Sequence, residues 1–393
     1  MKTVYLDNNA TTRVAPEVVE AMLPYFSDLY GNPSSMHTFG GQVGGAVARA
    51  REQMAALLGA QPEEILFTSC GTESDSTAIL SALATQPDKK HIVTTRVEHP
   101  AVLALCQHLE RRGHEVTYLG VDFKGRLNLD EYAAALRGDT AIASVMFANN
   151  EVGNVYPIQQ MAEIAKEKGV IFHTDAVQAV GKIPMNMTTL PVDFLSLSGH
   201  KLHAPKGIGV LYIRKGTRFR PLLRGGHQER GRRAGTENVP YIIGLGMAAE
   251  LAARNIGREQ SHVAPLRDRL ERGLVDAIPD AVVNGDTDSR LPNTSSIAFK
   301  YIEGEAILLM LDRLGICASS GSACTSGSLE PSHVLRAMGV PFTYAHGSVR
   351  LSLSRYTTAE EIEYVIKEFP PVIERLRAIS PFRGEQGGPT GSC

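Results

Sequence analysis

The sequence predicts an α/β fold: a mainly parallel sheet wrapped by helices in a large domain, followed by a smaller α+β domain. Three observations point there. Between about residues 60 and 215, short apolar strands alternate with helical patterns, as crossover-connected parallel strands do. Several of those strands end in polar or charged residues just before a helix, at the edge where open α/β sheets bind their ligands. The 393 residues exceed one typical domain, so two are expected. The large domain is expected over residues 16–254 and the small one over 255–393, joined by 1–15.

Asp7-Asn-Asn-Ala-Thr-Thr-Arg13 follows a short strand and reads as a turn leading to Pro16 and a helix near 16–27. Gly31-Asn-Pro-Ser-Ser35 and His37 read as a loop, and helical spacing returns over 43–58, with Gly59 as its stop. Glu64-Ile-Leu-Phe-Thr-Ser-Cys-Gly-Thr-Glu73 is a buried strand that breaks at small residues and enters a helix to about Leu83. Such a junction offers free N–H groups and the positive end of the helix dipole, with Gly71 and Thr72 as phosphate ligands. Plain capping of the helix is the alternative.

The strand from His91 ends at Val97-Glu-His-Pro100. There His99 could stack on a flat cofactor and exchange protons, or simply bond the start of a helix. A helix over about 101–112, the strand Glu115–Leu119 and a helix over about 129–137 follow. Ala141–Ala148 reads as an apolar strand ending in Asn149-Asn150-Glu151, two amides aimed into the cleft. The strand Val170–Asp175 ends in a carboxylate, with Gln178 three residues later. Finally Val192-Asp-Phe-Leu-Ser-Leu-Ser-Gly-His-Lys201 starts apolar and ends in Ser198, Gly199, His200 and Lys201. Burying a lysine is costly unless something uses the amine, and one use is a Schiff base with pyridoxal 5'-phosphate. A surface lysine just past a strand is the plainer reading.

Together these residues form a phosphate anchor, a ring stacker, donors to a ring hydroxyl, a ring-nitrogen partner and an amine. Ser198-Gly-His-Lys201, His173-Thr-Asp-Ala-Val-Gln178, Val97-Glu-His-Pro100, Thr68-Ser-Cys-Gly-Thr-Glu-Ser74 and Asn149-Asn-Glu151 resemble the cofactor motifs of the cysteine desulfurases. These belong to the class V aminotransferase group of PLP-dependent fold type I transferases, so the resemblance implies a mainly parallel seven-stranded sheet. It also implies that Lys201 carries pyridoxal 5'-phosphate, Asp175 faces the pyridine nitrogen, and Asn150 and Gln178 contact the ring hydroxyl. His99 would stack on the ring, with Gly71, Thr72, Ser198, Gly199 and His200 around the phosphate.

Past the lysine, a turn and returning strand reach Ile213, and the basic stretch Arg224–Asn238 reads as a solvated loop. By resemblance, Arg233-Ala-Gly-Thr236 enters the site of a second subunit, where Thr236 meets the phosphate, which makes the active unit a homodimer. Helices are expected over about 238–254 and 261–277.

Ile316-Cys-Ala-Ser-Ser-Gly-Ser-Ala-Cys-Thr-Ser-Gly-Ser-Leu-Glu-Pro331 packs small residues around Cys324. A mobile loop with an accessible nucleophilic thiol is expected there, whereas Cys317 and Cys106 read as structural and Cys70 as a small uncharged group. The loop resembles that of the group I desulfurases. His227-Gln-Glu-Arg-Gly-Arg-Arg233 and Leu329-Glu-Pro-Ser-His333 are closer to the nitrogen-fixation (NifS-like) type than to the housekeeping (IscS) type. Arg350 matches the arginine that clamps the substrate carboxylate, and Asn150 is expected to share in substrate binding. Residues 382–393 read as a disordered tail.

The activity so implied is conversion of L-cysteine to L-alanine with sulfur passed to a persulfide on Cys324, for iron–sulfur cluster assembly and nitrogenase maturation. Lys201 would move the α-proton and His99 a proton on the substrate side, and an iron–sulfur scaffold protein would accept the sulfur. The only metal role expected is a transient iron–sulfur ligand at Cys324 through its persulfide. An aminotransferase or selenocysteine lyase would keep the same pocket without needing the loop thiol. A silent cofactor-binding or sulfur-relay protein is opposed by Lys201, Arg350 and Cys324 together.

A net charge of −2 gives no basic field for nucleic acid or an anionic membrane. The N-terminus lacks a signal-peptide pattern and no apolar run spans a bilayer, so a cytoplasmic protein is expected. Five cysteines with no CxxC pair indicate neither a zinc site nor a disulfide framework.

Overall fold

The structure, a computed structural model, describes residues 3–320 and 331–380. In chain order its strands are β1 (Val4–Tyr5), β2 (Ile65–Thr68), β3 (His91–Thr95), β4 (Glu115–Leu119), β5 (Thr140–Ser144) and β6 (Ile171–Asp175). They continue with β7 (Phe194–Ser198), β8 (Gly209–Ile213), β9 (Ala281–Val283), β10 (Thr294–Phe299), β11 (Ile316–Cys317) and β12 (Ser348–Ser352). Seven form the main sheet in the order β2-β8-β7-β6-β5-β3-β4. From β4 to β7 all pairings are parallel, and β8 runs antiparallel to both of its neighbours. Every residue of β2, β3, β5, β7 and β8 is buried, so both faces of the sheet are covered along these strands. The parallel strands bring the ends of β3, β5, β6 and β7 to one edge.

The antiparallel sheet β12-β10-β9 and the short parallel pair β1–β11 lie over a second apolar core. There Val4 and Leu6 join Ile297, Phe299, Leu351 and Phe369, so the first residues of the chain pack with the last third. Val334, Leu335 and Met338 cross the other way, into the core of the main sheet. The last helix, Ala359–Ile379, starts in a capping box between Thr358 and Glu361.

Local differences from the sequence reading have physical causes. The helix expected at 43–58 begins at Thr38, because His37 Nδ1 accepts from the Gly40 N–H at 3.1 Å and caps it. His37 is therefore a cap, not a bare loop residue, while Gly59 ends the helix at φ 62° as expected. The strand expected over 141–148 ends at Ser144. Beyond it only alternate amides still pair, Val145 with the His173 carbonyl and Phe147 with that of Asp175. The helix expected over 238–254 runs Val239–Arg258 and passes through a π turn at Glu259–Val263 into Ala264–Ala277.

Arg51 and Glu229 form a buried bidentate ion pair at 2.8 and 2.6 Å, with Arg51 also donating to the Ile65 carbonyl. Arg51→Ala would leave the Glu229 carboxylate buried and unpaired, so chemical denaturation should show a loss of about 3–5 kcal/mol.

Candidate active site

A cavity of about 320 Å³ opens where β5, β6 and β7 end. Its lining includes Gly71, Thr72, His99, Asn150, Asp175, Gln178, Ser198, His200, Lys201 and Arg350, residues that span nearly 280 positions of sequence. Gly199 lies just behind, buried in the turn Gly199–Lys201, where a Cβ would come within 2.8 Å of Ile208 Cγ2. Thr236 is exposed and lines a different cavity of about 140 Å³ with Arg233 and Glu229. Cys324 and the tail 382–393 lie outside the described residues.

One wall is the start of the helix Gly71–Thr85. Its cap residue, Cys70, makes no side-chain capping bond. Ser69 and Thr68 are engaged elsewhere: the Ser69 N–H and hydroxyl both donate to Glu73 Oε2, at 2.8 and 2.5 Å, and the Thr68 hydroxyl meets Ser74 at 2.8 Å. The junction residues are thus not spent on plain capping, and the helix presents its positive end to the cavity. Glycine is required at 71, where a Cβ would stand 2.8 Å from Val177 Cγ2.

Lys201 sits at the end of β7 within a short 3-10 turn, half-buried. Its Nζ donates to the carbonyls of Asn9 at 2.5 Å and Ala10 at 2.6 Å. Asn9 and Ala10 themselves line the cavity, although the sequence shows them only as a turn. The Asn9 carbonyl also accepts from Gln178 Nε2 at 3.0 Å, while Lys182 Nζ holds Gln178 Oε1 at 3.0 Å and so fixes which way the amide faces.

Asp175 Oδ1 accepts from the Val177 N–H at 2.9 Å. Burial pushes its carboxyl up from the ordinary range, and the nearby charges of His99 and Lys201 oppose that shift. His99 caps the helix Pro100–Glu110 by accepting from the Ala101 N–H at Nδ1, 3.1 Å, as the helix-start reading has it, and it also lines the cavity. Burial lowers its pKa, Asp175 raises it and Lys201 lowers it. His200 is pushed down to about 4, first by burial and then by Lys201.

Only one of the two adjacent amides faces the cleft. Asn149 is fully buried, donating to the Val97 carbonyl at 3.0 Å and accepting from the N–H groups of Glu151 and Val152. The structure corrects the sequence reading here: Asn149 builds the turn, and Asn150 lines the cavity. Arg350, buried on β12, donates to the Asn150 carbonyl at 3.0 Å and to Asp7 Oδ1 at 2.8 Å, and its Nε is buried without a partner among the described residues. A guanidinium so placed can exchange these partners for an entering carboxylate.

An amine, a buried carboxylate, an imidazole and a glycine-floored helix N-terminus around one cavity fit a flat aldehyde cofactor carrying a phosphate and a ring nitrogen. The Aminotransferase class-V family matches residues 4–365, and the chain belongs to that family. Among its relatives are a cysteine desulfurase of Trichormus azollae, 64% identical over 388 residues (99% of this chain, 97% of the relative), and the cysteine desulfurase NifS of Azotobacter vinelandii, 63% identical over 388 residues (98% and 96%). Those likenesses put the chain, more narrowly, among the NifS-type cysteine desulfurases. A solved NifS-like protein superposes with a TM-score of 0.90 at 40% identity, covering 95% of this chain and 100% of that one. The expected fold type and its mainly parallel seven-stranded sheet are thereby borne out.

Proposed function

We propose that the protein converts L-cysteine to L-alanine and transfers the sulfur to its own Cys324, for delivery to an iron–sulfur scaffold protein and so to nitrogenase maturation. The observation that carries this reading is the convergence of Lys201, Asp175, His99 and Arg350 on one cavity. Pyridoxal 5'-phosphate, bound there, would supply an electron sink for the carbon that loses its proton. Gly71, Thr72, Ser198, Gly199 and His200 would hold its phosphate, Asp175 its ring nitrogen, and Asn150 and Gln178 its hydroxyl.

The chain's own groups do the rest. Arg350 takes the substrate carboxylate and orients the amino acid. Lys201 would hold the cofactor through its amine and would be the group that moves the α-proton of the substrate. His99 handles a proton on the substrate side. The thiolate of Cys324 attacks the substrate sulfur, the carbon–sulfur bond breaks, and the carbon that sheds sulfur takes up a proton to become the alanine methyl group. The balance is enzyme thiol plus L-cysteine giving enzyme persulfide plus L-alanine. The persulfide on Cys324 is also where an iron–sulfur cluster would be held transiently.

Thr236 is exposed and lines a cavity other than that of Lys201, which supports the reading that it serves the site of a second copy in a homodimer. No helix among the described residues is long and apolar enough to cross a membrane, and the working location is the cytoplasm. The cofactor-bearing domain is taken as 16–254 and the domain carrying Cys324 as 255–393, joined by 1–15.

The test is the absorption spectrum of the purified protein before and after L-cysteine, with alanine and sulfide assayed together under reductant. A yellow protein whose band shifts while both products rise together is expected; turnover of an amino-group donor alone would move the reading to an aminotransferase. Arg350→Ala should raise the KM for L-cysteine by about 100-fold with a much smaller change in kcat, because a carboxylate clamp binds ground and transition states alike. Steady-state alanine formation checks it.

A further inference from the structure

Three carboxyl groups are buried about the floor of the cavity: Asp75 on the helix Gly71–Thr85, Glu98 between β3 and the following helix, and Asp175 at the end of β6. Asp75 and Asp175 both line the cavity. Asp175 is faced by the Lys201 ammonium and the His99 ring. Asp75 is faced by Asp175 and His173 from β6, by Glu98, by Cys70 at the start of its own helix, and by the Ser196 hydroxyl from β7. None of these supplies a positive charge. His173 bonds Ser144 Oγ through Nδ1 at 2.8 Å and Ser196 Oγ through Nε2 at 2.9 Å, and burial drives its pKa down to about 3.

Glu98 also has no cation beside it among the described residues. Its Oε1 accepts from the Thr95 hydroxyl at 2.8 Å and the Met146 N–H at 2.9 Å, its Oε2 has no hydrogen-bond partner among the described residues, and burial pushes it up to about 8. Asp75 Oδ1 is likewise buried without a hydrogen bond among the described residues, 3.5 Å from His173 Nε2. Carboxyl groups sharing a water-poor site do not all ionise, and the Lys201 ammonium beside Asp175 decides which one does.

We propose that Asp75 is a positioning residue, held as the neutral acid, which closes the floor beside Asp175 and leaves Asp175 as the anion that meets a protonated ring nitrogen. As an acid it has an O–H to give to the Ser196 hydroxyl or the His173 ring, tying the helix Gly71–Thr85 to β6 and β7 beneath the ring site. The inference rests on the reading above that a pyridoxal cofactor fills the cavity.

The experiment is a pH titration of the bound cofactor's visible band in the holoenzyme, for the native protein, Asp75→Asn and Asp75→Ala, with cofactor loss on dialysis followed by the same band. The Asn amide has the shape and charge of a neutral acid, so its midpoint should fall within about 0.3 pH unit of the native one. Asp75→Ala, which removes the polar tie, should release cofactor about tenfold faster. A midpoint lowered by about one unit or more in Asp75→Asn would mean that a negative charge had been removed, and the proposal would be wrong. Cofactor retention by Asp75→Ala equal to the native protein's would also overturn it. Asp75→Ser replaces the alanine variant, on the same reading, if that one does not fold. Failure of the native protein to take up cofactor sinks the cofactor reading itself, whereas uptake with either contrary result sinks this inference alone.

Discussion

Lys201→Ala is expected to bind pyridoxal 5'-phosphate without a covalent link and to lose turnover by a factor of about 10³ or more. The lysine is fixed twice over. Its backbone is set by the turn at the end of β7, and its Nζ by the carbonyls of Asn9 and Ala10. Removing the side chain takes away both the amine that anchors the cofactor and the group that moves the α-proton, while the uncapped helix start and Asp175 stay in place. Borohydride reduction followed by denaturation reads the difference: the native chain should keep the mass of the reduced cofactor and the variant should release it. Lys201→Arg should not restore turnover, because a guanidinium does not give up its proton in this range. A Lys201→Ala variant that retained cofactor covalently would show that another amine is the anchor.

Much of this arrangement is legible in the sequence because its signals are local. Strand-to-helix alternation over Glu64–Ile213 shows in the apolar runs, and the polar residues that close those runs are the ones at the sheet's edge. What the sequence does not show arises from contacts between distant segments. Asn9 and Ala10 read only as a turn, since their meeting with Lys201 joins residues 191 and 192 positions apart. Asn149 and Asn150 are chemically identical neighbours, and only the turn after β5 decides which one faces inward. Asp75 sits in an ordinary helical pattern, and its burial comes from packing the helix Gly71–Thr85 across β5, β6 and β7. The polar run Asp7–Arg13 was the available hint of the first of these, being denser in amides and hydroxyls than a turn needs.

Cys324→Ala should keep the cofactor and its response to L-cysteine but form no enzyme persulfide, with alanine release falling by about 10³-fold or more. Cys324 lies outside the described residues, but the chain on either side of 321–330 is anchored at the site. On one side, Ser319 pairs with Arg350, accepting its N–H at 2.6 Å. On the other, the Ser332 hydroxyl bonds Glu151, and His333 Nε2 meets the Glu98 carbonyl at 2.9 Å. Rival thiols are poorly suited. Cys106 is fully buried and pushed up to about 12, and Cys317, on β11, is raised by burial and by Asp312 and Asp7. The thiolate is the nucleophile, so both would be weak at neutral pH. Cys70 is the serious competitor, because it lines the cavity itself. Peptide mapping of the persulfide after one turnover separates the two. Label on the peptide containing Cys324, absent from Cys324→Ala, is the expected result; label on the peptide containing Cys70 in that variant would move the nucleophile to the helix cap and make the Cys324 segment dispensable for the first sulfur transfer.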